Sequence, residues 1–127
     1  MANGPGIAPV NTLTFTRGTS KTLELTVTDA AGTIVDLSGS KVVFTLKDDA
    51  YNPLPLVQKT TDDPTQAELT EPRLGKARIY LSPADTQNLD PVTYVYDVWV
   101  VLGSGKRYAV IAPTDLTLTM GVTMLPL

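Results

Sequence analysis

The sequence contains neither cysteine nor histidine. Without cysteine there is no disulfide framework, no thiolate nucleophile and no zinc or iron–sulfur site built on sulfur. Without histidine the chain lacks the commonest general base and every Ser–His or Cys–His catalytic pair. Little acid–base equipment remains beyond carboxylates, so we expect a protein that is not an enzyme and uses no cofactor.

Net charge and hydropathy exclude further classes of partner and location. The formal net charge is −3 and the pI is about 4.7, which argues against nucleic acid as a partner. The longest apolar stretch, residues 92–102, is short and carries Asp97, so no membrane span is predicted. The N-terminus has neither the basic start nor the apolar run of a secretory signal, which predicts synthesis in a cytoplasm without standard export. The 127 residues, 43% of them hydrophobic, suffice for one globular core.

Short segments of alternating apolar and polar residues, separated by turn residues, run through the chain and predict many short strands. The predicted strands cover residues 11–17, 22–28, 34–35, 41–47, 56–59, 76–81, 93–102, 106–111 and 116–122. Residues 60–72 are polar and acidic without useful periodicity, so this segment is predicted to be a long exposed loop. Ser82 and Pro83 have the chemistry of a helix start and predict one short helix over residues 83–88.

This pattern predicts an all-β sandwich of about seven to nine strands with one short helix. We assign residues 11–123 to the sandwich, residues 1–10 to an extended N-terminal arm and residues 124–127 to a C-terminal tail. Both ends contain proline or glycine and lie outside the predicted strands. Their apolar side chains are therefore predicted to contact other chains of a symmetric particle, with folding back onto their own sandwich as the alternative.

Residues 90–96 (DPVTYVY) resemble the F-strand pattern of immunoglobulin domains, Asp-x-Gly-x-Tyr-x-Cys. Val92 stands in the glycine place and Tyr96 in the cysteine place, so the inter-sheet disulfide of that family is lacking. The resemblance implies an immunoglobulin-like sandwich in which Tyr94 is the tyrosine of a corner, bonded back to the turn at Asp90. Such a motif concerns the fold and says nothing about activity.

A second resemblance covers most of the chain. Residues 15–19 (FTRGT), 29–40 (DAAGTIVDLSGS), 43–47 (VFTLK), 81–86 (LSPADT) and 94–98 (YVYDV) look, in this order, like the N-terminal domain of tailed-phage baseplate upper proteins. Each motif is short, and the order over more than a hundred residues carries the resemblance. Gly18-Thr19 lacks the aspartate of the family's Arg-Gly-Asp-Thr-like start, so any role of that acid is not carried over.

The resemblance implies a structural protein of the virion, made in the host cytoplasm, that docks onto other virion proteins or onto copies of itself. It implies no catalytic, cofactor or metal residues. The sequence pattern favours a place in the tail or baseplate, whereas the short length of the chain suits a capsid decoration (cement) protein, which stays as the alternative.

Partner contacts are predicted at both ends of the chain and on one strand. Trp99 belongs to the face of its predicted strand that a sandwich turns to solvent, where a large aromatic side chain indicates contact with another subunit. The apolar side chains of the arm and tail are the other candidates, and they are Ile7, Val10, Met124, Leu125 and Leu127.

Three other functions remain open from the residues themselves. The adjacent acids Asp48-Asp49 and Asp62-Asp63 offer oxygen ligands for calcium, although solvated loop charge is the favoured interpretation. A glycan hydrolase built on two carboxylates is the rival enzyme class, with no pair singled out. A module that makes weak contact with glycans is the third, with Tyr80 and Trp99 as its stacking residues.

Overall fold

Eight strands and one helical turn build the part of the chain that this computed structural model describes, residues 12–123. In chain order they are β1 (Leu13–Thr16), β2 (Lys21–Thr26), β3 (Lys41–Lys47), β4 (Val57–Thr60), β5 (Ala67–Glu71), β6 (Lys76–Leu81), α1 (Pro83–Thr86), β7 (Thr93–Val101) and β8 (Arg107–Thr119). A 3₁₀ turn, Pro72–Leu74, joins β5 to β6.

The strands form two sheets, one of five strands in the order β1-β8-β7-β3-β4 and one of three in the order β2-β6-β5. All neighbours are antiparallel except β1 and β8, which run parallel with Leu13 opposite Leu116. Two sheets in this arrangement form an immunoglobulin-like sandwich, so the predicted fold class is confirmed. No helix among residues 12–123 is both long and apolar enough to cross a membrane.

Alternation of side chains places one face of each sheet in a shared core. In β3 the buried residues are Val42, Phe44 and Leu46, while β7 buries every second residue from Tyr94 to Val100. The rings of Phe44 and Tyr96 stack with their centroids 5.4 Å apart. The remaining core side chains include Leu23, Leu25, Ile79, Leu116 and Leu118. The other residues of β7, among them Trp99, consequently face outward.

The predicted loop at residues 60–72 is wrong in its second half, where β5 pairs with β6. Ala67 is fully buried and Leu69 is partly buried against the core. These two residues alternate with exposed or half-exposed polar ones, as expected for an edge strand with one solvated face. The small side chain of Ala67 gives a weak hydrophobic signal, which the acidic neighbours mask.

Two further strand predictions need correction. Residues 34–35 form no strand, and Ile34 makes only an isolated bridge to Thr28. The two strands predicted at 106–111 and 116–122 are one continuous strand, β8, whose pairing with β7 shifts register twice. Bulges of this kind let a strand continue past Pro113. The strand then ends at Thr119, and Met120 beyond it is 63% exposed.

Candidate functional site

Trp99 lies on the outward face of β7, near the middle of the five-stranded sheet. Its side chain is 42% exposed, as the strand pattern predicted. The indole Nε1 donates a hydrogen bond to Asp97 Oδ2 at 2.9 Å, which fixes the ring on the sheet surface. A large aromatic ring held in one orientation offers contact area at a low cost in conformational entropy.

A depression of about 430 Å³ surrounds this ring on the outer face of the sheet. Strands β3 and β7 form its floor, and the loop of residues 48–56 and the bulged part of β8 form its sides. The lining residues are Val43, Thr45, Lys47, Ala50, Pro53, Pro55, Gln58, Val95, Tyr96, Asp97, Trp99, Val101, Arg107 and Pro113. We call this surface the Trp99 face. It combines an apolar centre with charged groups at the rim, a composition typical of docking surfaces.

The loop of residues 48–56 is ordered by the acidic pair that sequence analysis considered for calcium. Asp49 Oδ1 accepts the Tyr51 N–H at 2.9 Å, and Asp48 Oδ1 accepts the side-chain amide of Asn52 at 2.9 Å. Asn52 Oδ1 in turn accepts the Leu54 N–H at 3.0 Å. These local turns use the carboxylate oxygens within the loop and hold it beside the depression.

The second acidic pair is engaged in the same way. Asp62 forms an ion pair with Lys41 at 2.8 Å, and the hydrogen bond from this lysine lowers the pKa of the Asp62 carboxyl. Asp63 Oδ1 accepts both the N–H and the hydroxyl of Thr65, which lowers the pKa of Asp63. Within residues 12–123, no three acidic side chains come close enough together to hold a metal ion.

Tyr80, the second predicted stacking residue, lies far from Trp99 on the other sheet. It is on the outer face of β6, and its hydroxyl donates a hydrogen bond to Glu68 Oε1. This hydrogen bond is the main cause of the raised pKa of Tyr80. Nearby, Arg78 Nε pairs with Glu24 at 3.0 Å. The structure therefore does not bring the two aromatic residues into one binding platform.

The tyrosine corner predicted from residues 90–96 is present. The Tyr94 hydroxyl donates to the backbone oxygen of Asp90 at 2.8 Å, and the ring is almost completely buried. Burial is the largest cause of the raised pKa of Tyr94, followed by the charge of Asp90. The bond closes the turn that leads into β7 and so sets the start of the strand that carries Trp99.

A contact between distant segments supports the same turn, and sequence analysis missed it. Arg17 Nη1 donates to the backbone oxygens of Gln87 at 2.9 Å and Leu89 at 3.3 Å. The neighbouring Gly18 N–H donates to Thr86 Oγ1 at 2.8 Å. The Arg-Gly pair, noticed in the sequence only as part of a resemblance, thus ties the turn after β1 to the segment at the C-terminal end of α1.

The short helix α1 is also tied to the five-stranded sheet. Lys59 Nζ of β4 and Asp85 Oδ2 lie 2.8 Å apart, and both side chains are largely shielded from solvent. The same Asp85 carboxylate accepts the N–H of Ser82 at 2.7 Å and so caps the start of the helix. The predicted helix at 83–88 is confirmed in place, although it ends at Thr86.

The other predicted partner contacts, Ile7, Val10, Met124, Leu125 and Leu127, lie outside the described residues, as do the N-terminal arm at 1–10 and the C-terminal tail at 124–127. Of the predicted contacts, only Trp99 is therefore placed on the described surface. The loop prolines Pro53 and Pro55 and the bulge residue Pro113 surround Trp99, and none of them was predicted as part of a site. The one signal in the sequence that points to these prolines is that they recur next to apolar strands. No protein-family model matches the sequence, and no curated protein matches it at a significant level.

Proposed function

We propose that this protein is a non-enzymatic structural protein of a tailed-phage virion, an immunoglobulin-like module that docks onto other virion proteins in the tail or baseplate. The order of motifs shared with the N-terminal domain of baseplate upper proteins supports this function. Three of these five motifs also have a structural role in the fold: Arg17 and Gly18 bond to the C-terminal end of α1, Ser82 begins this helix, and Tyr94 forms the corner.

The observation that carries the docking function is the Trp99 face. A sheet that faces only solvent is normally polar on its outer side. Here Val43, Val95, Trp99 and Val101 share that side with prolines of the adjoining loop. Burying an exposed tryptophan in a partner's pocket is a common source of binding energy at protein interfaces, so the partner is expected to seat on this face.

The test uses particles purified from a phage-producing culture that encodes this chain. Immunogold labelling should place the protein at the tail end of the particle. Trp99→Arg should reduce its incorporation at least about tenfold, since a charge replaces the central apolar contact. Leu74→Arg is the matched control, because Leu74 is 46% exposed in the 3₁₀ turn beside the other sheet.

The position of the gold label and the incorporation of the two variants discriminate between the tail, the capsid and a function outside the virion. Gold label over the capsid would favour the decoration alternative over the tail. Absence of the protein from purified particles would contradict the virion function altogether. Equal incorporation of the Trp99 and Leu74 variants, in particles that contain the protein, would contradict the docking face alone.

A carbohydrate-binding module is the second candidate, because Trp99, Asp97 and Gln58 line the same depression. An aromatic ring next to polar side chains suits the stacking and hydrogen bonding of a sugar ring. Glycan-array binding that Trp99→Ala abolishes and Tyr80→Ala leaves unchanged would support it. Binding that neither substitution affects would count against it.

A further inference from the structure

Charges of opposite sign lie at the two ends of the outer face of the five-stranded sheet. Arg107 and Asp115 are exposed residues of β8, and they lie opposite Val101 and Val95 of β7, respectively. Counted along β7, the two charges are therefore separated by roughly 20 Å. That distance is too long for an ion pair within one molecule, and neither side chain forms an ion pair with any residue from 12 to 123.

The face between these two charges is mainly apolar. Val95, Trp99 and Val101 lie on the outer side of β7, with Asp97 among them. The Asp97 carboxylate already accepts the N–H of the Trp99 indole at 2.9 Å. Along β7 the face consequently has an acidic end, an apolar middle and a basic end. A surface with this order of charges is complementary to itself after a half-turn.

A two-fold axis that crosses β7 at right angles, at Val98, brings the opposite charges together. Val98 is midway between Val95 and Val101, so these two valines of one copy exchange places with those of the other. The axis places Arg107 of each copy over Asp115 of the other copy. Both contacts repeat across the axis, as an interface between identical surfaces requires.

The same axis keeps like charges from meeting without a counter-charge. The ring of Trp99 lies over Asp97 of the second copy, whereas an axis along β7 would set two Asp97 carboxylates against each other. At the β3 side of the face, Lys47 lies over Lys41 of the second copy, because these lysines are the two ends of β3. Lys41 is paired with Asp62 at 2.8 Å, so Lys47 meets an ion pair.

We propose that the Trp99 face binds the Trp99 face of a second copy, in a two-fold dimer with two Arg107–Asp115 ion pairs at its rim. This inference deepens the docking role proposed for that face and rests on it, because it names the partner as the same chain. Two sheets that pack face to face lie about 10 Å apart, as in the core of a sandwich. The face is small, about 20 Å long and four strands wide, so we expect the dimer to form only at high protein concentration.

Reversal of the two charges, singly and together, tests this arrangement on the isolated full chain. Arg107→Glu sets acidic side chains against each other at both ends of the face, and Asp115→Lys does the same with basic ones. Each variant alone should raise the dimer dissociation constant at least about tenfold, as measured by sedimentation velocity at protein concentrations up to about 1 mM. An equimolar mixture of the two variants, and the double variant, should dimerise like the wild type, because each charge again meets its opposite.

The ion pair between Lys76 and Glu71 on the three-stranded sheet provides matched controls. Its two side chains are exposed and 3.4 Å apart, so Lys76→Glu and Glu71→Lys make the same changes of charge away from the Trp99 face. Both should leave the dissociation constant unchanged. Trp99 is the sole tryptophan, so its emission should shift to shorter wavelength as the dimer forms. Circular dichroism verifies that each variant is folded.

A chain that stays monomeric at the highest concentration would overturn the proposal. A dimer that the Arg107 and Asp115 variants weaken no more than the controls do would overturn it too. If each variant weakens the dimer and their mixture does not restore it, the two-fold pairing is wrong. None of these results contradicts the virion function, and a loss of incorporation in Trp99→Arg would then assign the face to a different virion protein.

Discussion

Removing the Tyr94 hydroxyl tests whether the corner stabilises the turn that begins β7. Tyr94→Phe keeps the buried ring and removes only the bond to the Asp90 carbonyl at 2.8 Å. One such bond contributes about 1 kcal/mol, and an acceptor left wholly unpaired would raise the loss to about 3 kcal/mol. Here the Asp90 carbonyl also accepts the Val92 N–H at 2.9 Å, so the smaller figure applies. We expect a loss of about 1 kcal/mol, which corresponds to a Tm lower by roughly 4 °C.

Urea unfolding followed by far-UV circular dichroism measures this loss, with an unchanged m-value as the sign that the unfolded state is unaffected. Tyr51→Phe is the matched control, because Tyr51 is 96% exposed and should change stability by less than about 0.5 kcal/mol. Asp90→Asn should also leave the corner intact, since the backbone oxygen is the acceptor. Equal stability of the Tyr94 and Tyr51 variants would refute the reasoning, and so would a loss well above 3 kcal/mol.

Three further predictions concern stability. Thr86→Val should lower the free energy of unfolding by about 1–3 kcal/mol, because the Gly18 N–H then loses its acceptor. Thr86→Ser keeps the hydroxyl and should lower it by only about 1 kcal/mol, for the lost methyl group. Thermal unfolding that ranks the two variants in the opposite order would contradict this. Gly75→Ala should destabilise by more than 3 kcal/mol, because a Cβ would lie 2.7 and 2.9 Å from two backbone oxygens at a φ of +69°. Gly32→Ala is the control, because its φ is +83° but an added Cβ would lie in open space, and it should cost only about 1–2 kcal/mol. Equal losses of stability in the two variants, measured by denaturant titration, would show that the backbone oxygens close to Gly75 are unimportant. Burial raises the pKa of Tyr96 from 10.0 to about 12, so between these values the unfolded chain loses a proton that the folded chain keeps. Stability should therefore be constant with respect to this group below pH 10 and fall as pH rises through that window, and urea midpoints against pH should show a shallower fall in Tyr96→Phe.

Local patterns made most of the sandwich predictable. Strands β3 and β6 have the bounds that the alternation of their residues predicted, because each buries one complete face. The corner at Tyr94 was predicted through the resemblance of residues 90–96 to the immunoglobulin F-strand pattern, whose donor and acceptor are only four positions apart. Strand β5 was not predicted, because an edge strand whose best-buried residue is Ala67 gives little hydrophobic signal in the sequence.

The site was less predictable because distant segments assemble it. The alternation of β7 put Trp99 on the outer face, which the structure bears out. The surrounding depression, however, depends on a loop and on the bulged part of β8, both of which reach Trp99 only through the order of strands in the sheet. Likewise, the bond between Gly18 and Thr86 spans 68 positions, so no local spacing foretells it.

The two outer faces of the sandwich differ in the desolvation cost of covering them with a partner. On the three-stranded sheet, Arg78 pairs with Glu24 at 3.0 Å and Lys76 pairs with Glu71 at 3.4 Å. A partner that covers this face must strip water from charges that already have partners, and the desolvation cost tends to cancel the gain.

On the five-stranded sheet, the central group is the Trp99 ring, whose polar atom is already bonded to Asp97. Covering this ring removes apolar surface from water without breaking an ion pair, which yields about 25 cal/mol for each Å² buried. The same reasoning applies to an external partner, which is therefore expected to use this face rather than that of the three-stranded sheet.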